Sequence, residues 1–163
     1  PRSTQGVSSA ASDVYKRQHL ELEAAQTSLE KNLEMYTMVW NEVFKNRNLD
    51  IINEEYFDKD VVAVATSAGD VVGIENFKAY YGNYITGFSD GELIFVDLFG
   101  QGDKMVKHWR FKGTHDGDFF GVPATNKKVD VSGTTLIKMK DGKIVAEQDF
   151  MDFLSFYTQL GLM

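Results

Sequence analysis

The chain contains no cysteine. Disulfides, thiolate nucleophiles and cysteine-ligated zinc are therefore excluded, and the composition fits a reducing compartment, so a cytoplasmic location is expected. Histidine is scarce as well. His19, His108 and His115 are the only three, and no two stand at the i, i+4 spacing of a helical metal site, so no metal is expected. No uninterrupted apolar stretch approaches the roughly 20 residues that a membrane-spanning helix requires, no apolar segment near the start has the form of a signal peptide, and no run of Lys or Arg forms a membrane-surface patch. Basic residues number 17 against 24 acidic ones, giving a net charge of -7 and a pI of about 4.9. Such a surface repels phosphate backbones, so neither nucleic acid nor membrane is expected as a partner. The glycine patterns that cradle phosphates, GxGxxG and GxxxxGK[ST], are missing too.

Aromatic residues are what the chain has in excess. They make up 13% of it, with 12 Phe and 7 Tyr. Rings fill large cores and also line pockets for flat or apolar ligands. At 163 residues the length suits one domain. The first residues, Pro1 to Gln18, are rich in Ser and Ala and show neither helical nor strand periodicity. The segment from Val7 to Gln18 resembles a peptide that recurs at the ends of translated environmental shotgun reads. Residues 1–26 are accordingly expected to be an N-terminal extension, in part not native, and 27–163 a single domain.

Thr27-x-x-Glu30 reads as a capping box. Leu29, Leu33, Tyr36, Trp40 and Val43 follow on one helical face, which predicts a helix from Thr27 to about Asn46–Asn48. Asp50 can cap a short second helix burying Ile51, Ile52, Tyr56 and Phe57. Val61 to Thr66 predicts a strand, and the spacing of Ile74, Phe77, Tyr81 and Tyr84 a helix after Gly73. From Gly91 onward the period changes to two. Strands are predicted over Glu92–Phe99, Met105–Lys112, Lys128–Met139 and Lys143–Met151, with Asp141-Gly142 as a type I′ hairpin turn, and a closing helix over Phe153–Leu160. Helices set apart from an antiparallel meander give an α+β class: helices packed on a curved antiparallel sheet, enclosing an apolar pocket.

Five signals in the C-terminal third carry a resemblance. They are Gly113-Thr-His-Asp-Gly-Asp-Phe-Phe-Gly-Val-Pro-Ala-Thr-Asn-Lys127, Val129-Asp-Val-Ser-Gly133, Asp141-Gly-Lys-Ile-Val-Ala-Glu147, Asp152 and Gln159-Leu-Gly161. Together they resemble the SnoaL-like polyketide cyclases, within the larger group sharing the nuclear transport factor 2 fold. The resemblance extends over roughly Leu29 to Gly161. It departs at Asn126, where the family usually has Gly, and at Gln148, a position often Trp. It implies a cone-shaped α+β domain with a deep pocket, a homodimer through the outer sheet face, and acid/base catalysis without a cofactor. In the characterised cyclases an Asp about seven residues before Gln-Leu-Gly shuttles the proton of an intramolecular aldol condensation, and Asp152 holds that position here.

The residues themselves leave Asp152 two roles. On a regular strand it shares a face with Ile144, Ala146, Gln148 and Phe150, an apolar wall that suits a base. It can equally be the N-cap of the closing helix. Glu147 and Asp149 then have the outward parity. His115 is either a pocket residue or a strand-end histidine bonded to loop backbone, while His108 faces away from Met105, Trp109 and Phe111. The expected site is thus Asp152 as general acid/base, His115 and Gln148 orienting the substrate, and Tyr36, Trp40, Phe57, Tyr81, Trp109, Phe111 and Phe150 lining the pocket. The expected ligand is a small apolar molecule bearing a carbonyl, turned over in an aldol-type cyclisation or a related isomerase or lyase step with no cofactor. Two alternatives stay open: a non-catalytic binding protein of the same fold, and an epoxide or ester hydrolase, in which Asp152 activates a water with help from a second polar group and which a second carboxylate beside it would favour.

Overall fold

A computed structural model describes residues 5–163, and side-chain burial from residue 9 onward. Its opening helix α1 runs without interruption over Gln5–Lys45. The apolar face read from the sequence is the one that packs: Tyr36, Val39, Trp40 and Val43 are buried, and Leu29 and Leu33 lie against them. Thr27 does not start the helix. Its hydroxyl instead donates to the carbonyl of Glu23, one turn back, at 3.0 Å. The upstream residues, among them Leu20-Glu-Leu-Glu-Ala-Ala25, are good helix formers with no proline to stop them. Residues 9–28 are all exposed, so this stretch of α1 adds no buried residue to the core. The helix passes through the boundary expected at residues 26–27, and residues 1–4 of the expected extension lie outside the described residues.

A one-turn 3-10 helix, Leu49–Ile51, takes the place of the second helix expected at Asp50. Its cap is Asn48, whose side chain accepts the Asp50 backbone N–H. Phe57 already belongs to the first strand. The strands are β1 (Phe57–Thr66), β2 (Gly69–Val72), β3 (Glu92–Gln101), β4 (Lys104–Thr114), β5 (Lys128–Lys140) and β6 (Lys143–Met151). Helix α2 (Ile74–Gly87) separates β2 from β3, and α3 (Phe153–Gln159) closes the chain. At the β5–β6 turn both Asp141 and Gly142 have positive φ, as a type I′ turn requires.

All six strands form one sheet in the order β2-β1-β6-β5-β4-β3. Neighbours are antiparallel except β1 and β6, which pair in parallel, so the sheet is mixed rather than purely antiparallel. This pairing puts β6, the last strand in sequence, in the sheet's interior. Helices α1 and α2 cover its concave face over a core rich in rings: Tyr36, Trp40, Phe57, Phe77 and Phe88 are all buried. The opposite face stays open among the described residues.

Candidate active site

Between α2, the ends of the central strands and α3 lies a cleft of about 770 Å3, its open mouth included. Much of its wall is aromatic: Trp40 and Phe44 from α1, Tyr80, Tyr81 and Tyr84 from α2, Trp109 and Phe111 from β4, and Phe153 and Phe156 from α3. Three charged side chains enter this wall, Lys107 from β4 and Glu147 and Asp149 from β6.

An irregularity in β6 is what aims the two carboxylates inward. Met139 pairs with Ile144, but the preceding residue, Lys138, pairs with Ala146, so Val145 is an extra residue on β6. Such a bulge reverses the alternation of side chains beyond it. Ile144 points into the core before the bulge. After it, Glu147, Asp149 and Met151 face the cleft, while Gln148 lies in the outward row with Leu136 and Val106.

Asp149 is held on both of its oxygens. Tyr81 donates its hydroxyl to Oδ2 at 2.8 Å, and Thr135 donates to Oδ1 at 2.5 Å. The Thr135 oxygen in turn accepts the Trp109 indole N–H at 2.9 Å. The chain Trp109–Thr135–Asp149–Tyr81 thus fixes one carboxyl from two sides. Trp109 can lie across the sheet to reach Thr135 only because residue 133 is glycine: a Cβ there would stand 2.2 Å from the indole.

Glu147 is deeper, at 1% exposure. Its Oε1 accepts the Trp40 indole N–H at 3.0 Å, and its Oε2 has no hydrogen-bond partner. Burial, reinforced by the neighbouring Asp149 carboxylate, pushes its carboxyl up to about 7, against the smaller opposing pull of Lys107 and the Trp40 and Tyr36 groups. The Tyr36 hydroxyl sits close enough to feel this carboxyl, yet it too makes no hydrogen bond. Lys107 is 4% exposed. Its ammonium position lies over three rings, 5.2 Å from the centroid of Tyr36, 5.0 Å from Trp40 and 5.4 Å from Phe95. Burial lowers its proton affinity, and the charges of Glu147 and Asp149 oppose that lowering.

The residues expected from sequence are distributed unevenly around this cleft. Trp40, Tyr81, Trp109 and Phe111 line it. Tyr36 and Phe57 are solvent-free core residues outside its wall. Phe150 is on the outward face, 49% exposed, because the bulge reversed its parity. Gln148 is outward for the same reason. Asp152 is exposed and caps α3, accepting the Ser155 backbone N–H at 2.9 Å. It shares no inward strand face with Ile144, since β6 ends at Met151. His115 is fully buried behind the cleft against Phe88 and Phe119. Its Nδ1 accepts the Thr125 backbone N–H at 3.3 Å, the loop-bonded arrangement, and its Nε2 has no partner. One further string has the spacing of a nucleophile elbow, Gly87-Phe-Ser-Asp-Gly91. It follows a helix rather than a strand, and Ser89 is bonded to Asp116, so it forms no such elbow.

Lys107 and Thr135 are polar residues that the sequence did not single out, and Glu147 and Asp149, expected to face outward, face the cleft instead. Lys107 was within reach of sequence reading: Met105, Trp109 and Phe111 alternate on one strand face, and position 107 falls between them.

A family model described as SnoaL-like polyketide cyclase matches residues 11–160. The chain belongs to this family. Among solved structures, the SnoaL-like fold is shared with a Jannaschia sp. CCS1 protein assigned as a SnoaL-like polyketide cyclase, at a TM-score of 0.74 and 26% identity over 82% of this chain and 94% of that one. TsrD from Streptomyces laurentii has the same fold, with a TM-score of 0.69 and 23% identity over 84% of this chain and 97% of TsrD. Two curated relatives match a shorter stretch of this SnoaL-like chain. Aklanonic acid methyl ester cyclase DnrD of Streptomyces peucetius and its counterpart DauD of Streptomyces sp. (strain C5) are each 41% identical over 49 residues. That stretch spans 30% of this chain and about a third of each relative, 34% and 30% of their lengths. The architecture is the α+β cone of the nuclear transport factor 2 type, with three helices on an unclosed six-stranded sheet. Among the described residues no helix is long and apolar enough to cross a membrane.

Proposed function

We propose that the cleft carries out general acid/base catalysis without a cofactor on a small, largely apolar molecule bearing a carbonyl, in an aldol-type cyclisation or a related proton transfer. The supporting observation is the Asp149 carboxyl, held at the cleft wall by Tyr81 and Thr135 with lone pairs to spare. A carboxyl fixed in this way can take a proton from the carbon next to a carbonyl and return it to another atom of the same ligand. Glu147, pushed up to about 7, holds a proton near neutrality where Oε2 lacks a partner, and it can stabilise the enolate oxygen that forms. The base is thus reassigned from Asp152 to Asp149. The cyclase activity named for DnrD and DauD belongs to the same class of reaction, and the shared family supports it here.

The test needs no knowledge of the natural substrate. Aryl methyl ketones and aklanonic acid methyl ester are incubated with the protein in deuterated water, and exchange of the hydrogens next to the carbonyl is followed by NMR. Asp149→Asn should slow exchange by about 10²–10⁴-fold, the usual share of one general base, while Asp152→Asn should leave it unchanged. Exchange that survives Asp149→Asn but is lost in Asp152→Asn would return the role to Asp152.

A second reading draws on the same pair of carboxyls. Two acids on one wall, Glu147 and Asp149, can activate water and protonate a leaving oxygen, as epoxide hydrolysis requires. Incorporation of labelled oxygen from water into an aryl epoxide, without exchange on the ketones, would favour the hydrolase.

A further inference from the structure

Lys107 is unlike the twelve other lysines of the chain. Every one of those is at least partly exposed, whereas Lys107 is buried, with its amine at the wall of the cleft. A buried cation is normally paired with a carboxylate. Here no carboxylate oxygen lies within 4.0 Å of Nζ among the described residues, and no hydrogen-bond acceptor engages it. The rings of Tyr36, Trp40 and Phe95 surround it instead. These faces attract a cation, but they cannot accept an N–H as an oxygen does, and the site replaces the water that would solvate the charge. Nothing in the packing needs an amine at this position. A residue such as Leu or Met would fill the same space between Met105 and Trp109 without the cost of desolvation.

We propose that Lys107 is a covalent amine site, condensing with the aldehyde or ketone carbonyl of a ligand seated in the cleft to form an imine. Acid/base catalysis at Asp149 needs no such bond, so this is a second capability of the same cavity. The nitrogen lone pair attacks the carbonyl carbon and a C–N bond forms. The carbonyl oxygen becomes the hydroxyl of a carbinolamine. That hydroxyl then leaves as water, carrying off both amine hydrogens, and a C=N bond remains. No oxidant or reductant takes part. Glu147 lines the same cleft, and its proton, held up to about neutrality, can go to the oxygen that departs as water, the amine giving its own proton back to the carboxylate through the ligand. Burial favours the neutral, nucleophilic amine, as it does for other desolvated lysines.

The experiment is reductive trapping on the intact protein. Benzaldehyde is added at neutral pH, sodium borohydride follows, and peptide mapping by mass spectrometry locates the new secondary amine. Lys107 is expected to be labelled at least about tenfold faster than any surface lysine, since an ordinary lysine with its pKa near 10.4 is almost wholly protonated at that pH. Lys107→Met and Lys107→Arg should each remove this label while the folded far-ultraviolet spectrum persists. Label spread over surface lysines with Lys107 untouched would overturn the proposal, and the wild-type map decides this even if both variants misfold. Deuterium exchange separates the two readings. Trapping at Lys107 without any exchange would leave the amine site standing and reject the acid/base reading, whereas exchange without trapping would do the reverse.

Discussion

Glu147 shows how one side chain can trade stability for chemistry. Folding moves its carboxyl from an ordinary 4.5 up to about 7. Between those values the folded chain keeps a proton that the unfolded chain gives up, so Glu147 makes stability fall as pH rises through this window and then level off. Lys107 acts in the opposite sense at higher pH, because there the folded amine gives up a proton that the unfolded one retains. Glu147→Gln replaces the carboxyl with a neutral amide of nearly the same shape. Its melting temperature should rise relative to wild type between pH 5 and pH 8. An equal difference at the two pH values would mean that Glu147 does not titrate in that interval. Asp152 sits at the other extreme: exposed and bonded to a backbone N–H, it acts as a helix cap. Both of its roles were visible in the sequence, whereas its position past the end of β6 was not.

At the scale of elements, most of the secondary structure was readable. The strand predicted over Lys143–Met151 and the hairpin turn at Asp141-Gly142 are both present, because β-branched alternation and turn chemistry are local properties. What was not readable was the bulge at Val145. A valine in a strand looks the same whether or not it is paired, and only the register against β5 marks Val145 as extra. One unpaired residue moved Glu147 and Asp149 into the cleft and Gln148 and Phe150 out of it, which is why the pocket was foreseen while its acids were not. Pairings distant in sequence, such as β1 beside β6, escape local patterns for the same reason. The N-terminal half of α1 is a simpler element. Because residues 9–28 are all exposed, deleting residues 1–18 should shift the melting temperature by less than about 2 °C, under 1 kcal/mol for a chain of this size. A larger drop would mean that this half of α1 is packed against something.

For the molecule as a whole, the sheet has one covered face and one bare face. On the bare side Phe99, Val106, Leu136 and Gln148 form one row across four strands, with Asp97, His108, Thr134 and Phe150 in the next. Phe99, Leu136 and Phe150 are each about half exposed, at 54%, 46% and 49%. Neighbouring apolar groups of this size mark an interface, and we propose that a second copy of this chain covers them, forming a homodimer. Light scattering at micromolar concentration should give twice the chain mass, and Leu136→Glu should halve it. A wild-type monomer would refute the proposal. The parallel seam between β1 and β6 has a consequence of another kind, in time. Strands β3 to β6 follow one another as hairpins and can zip together from nearby contacts, but β1 must wait for β6, the last strand made, before it finds its partner. Long-range closures of this sort are slow. The wall formed by Ala63 to Thr66 therefore joins the cleft late in folding, so the meander and its two inward-facing acids are assembled before the cavity that will hold a ligand.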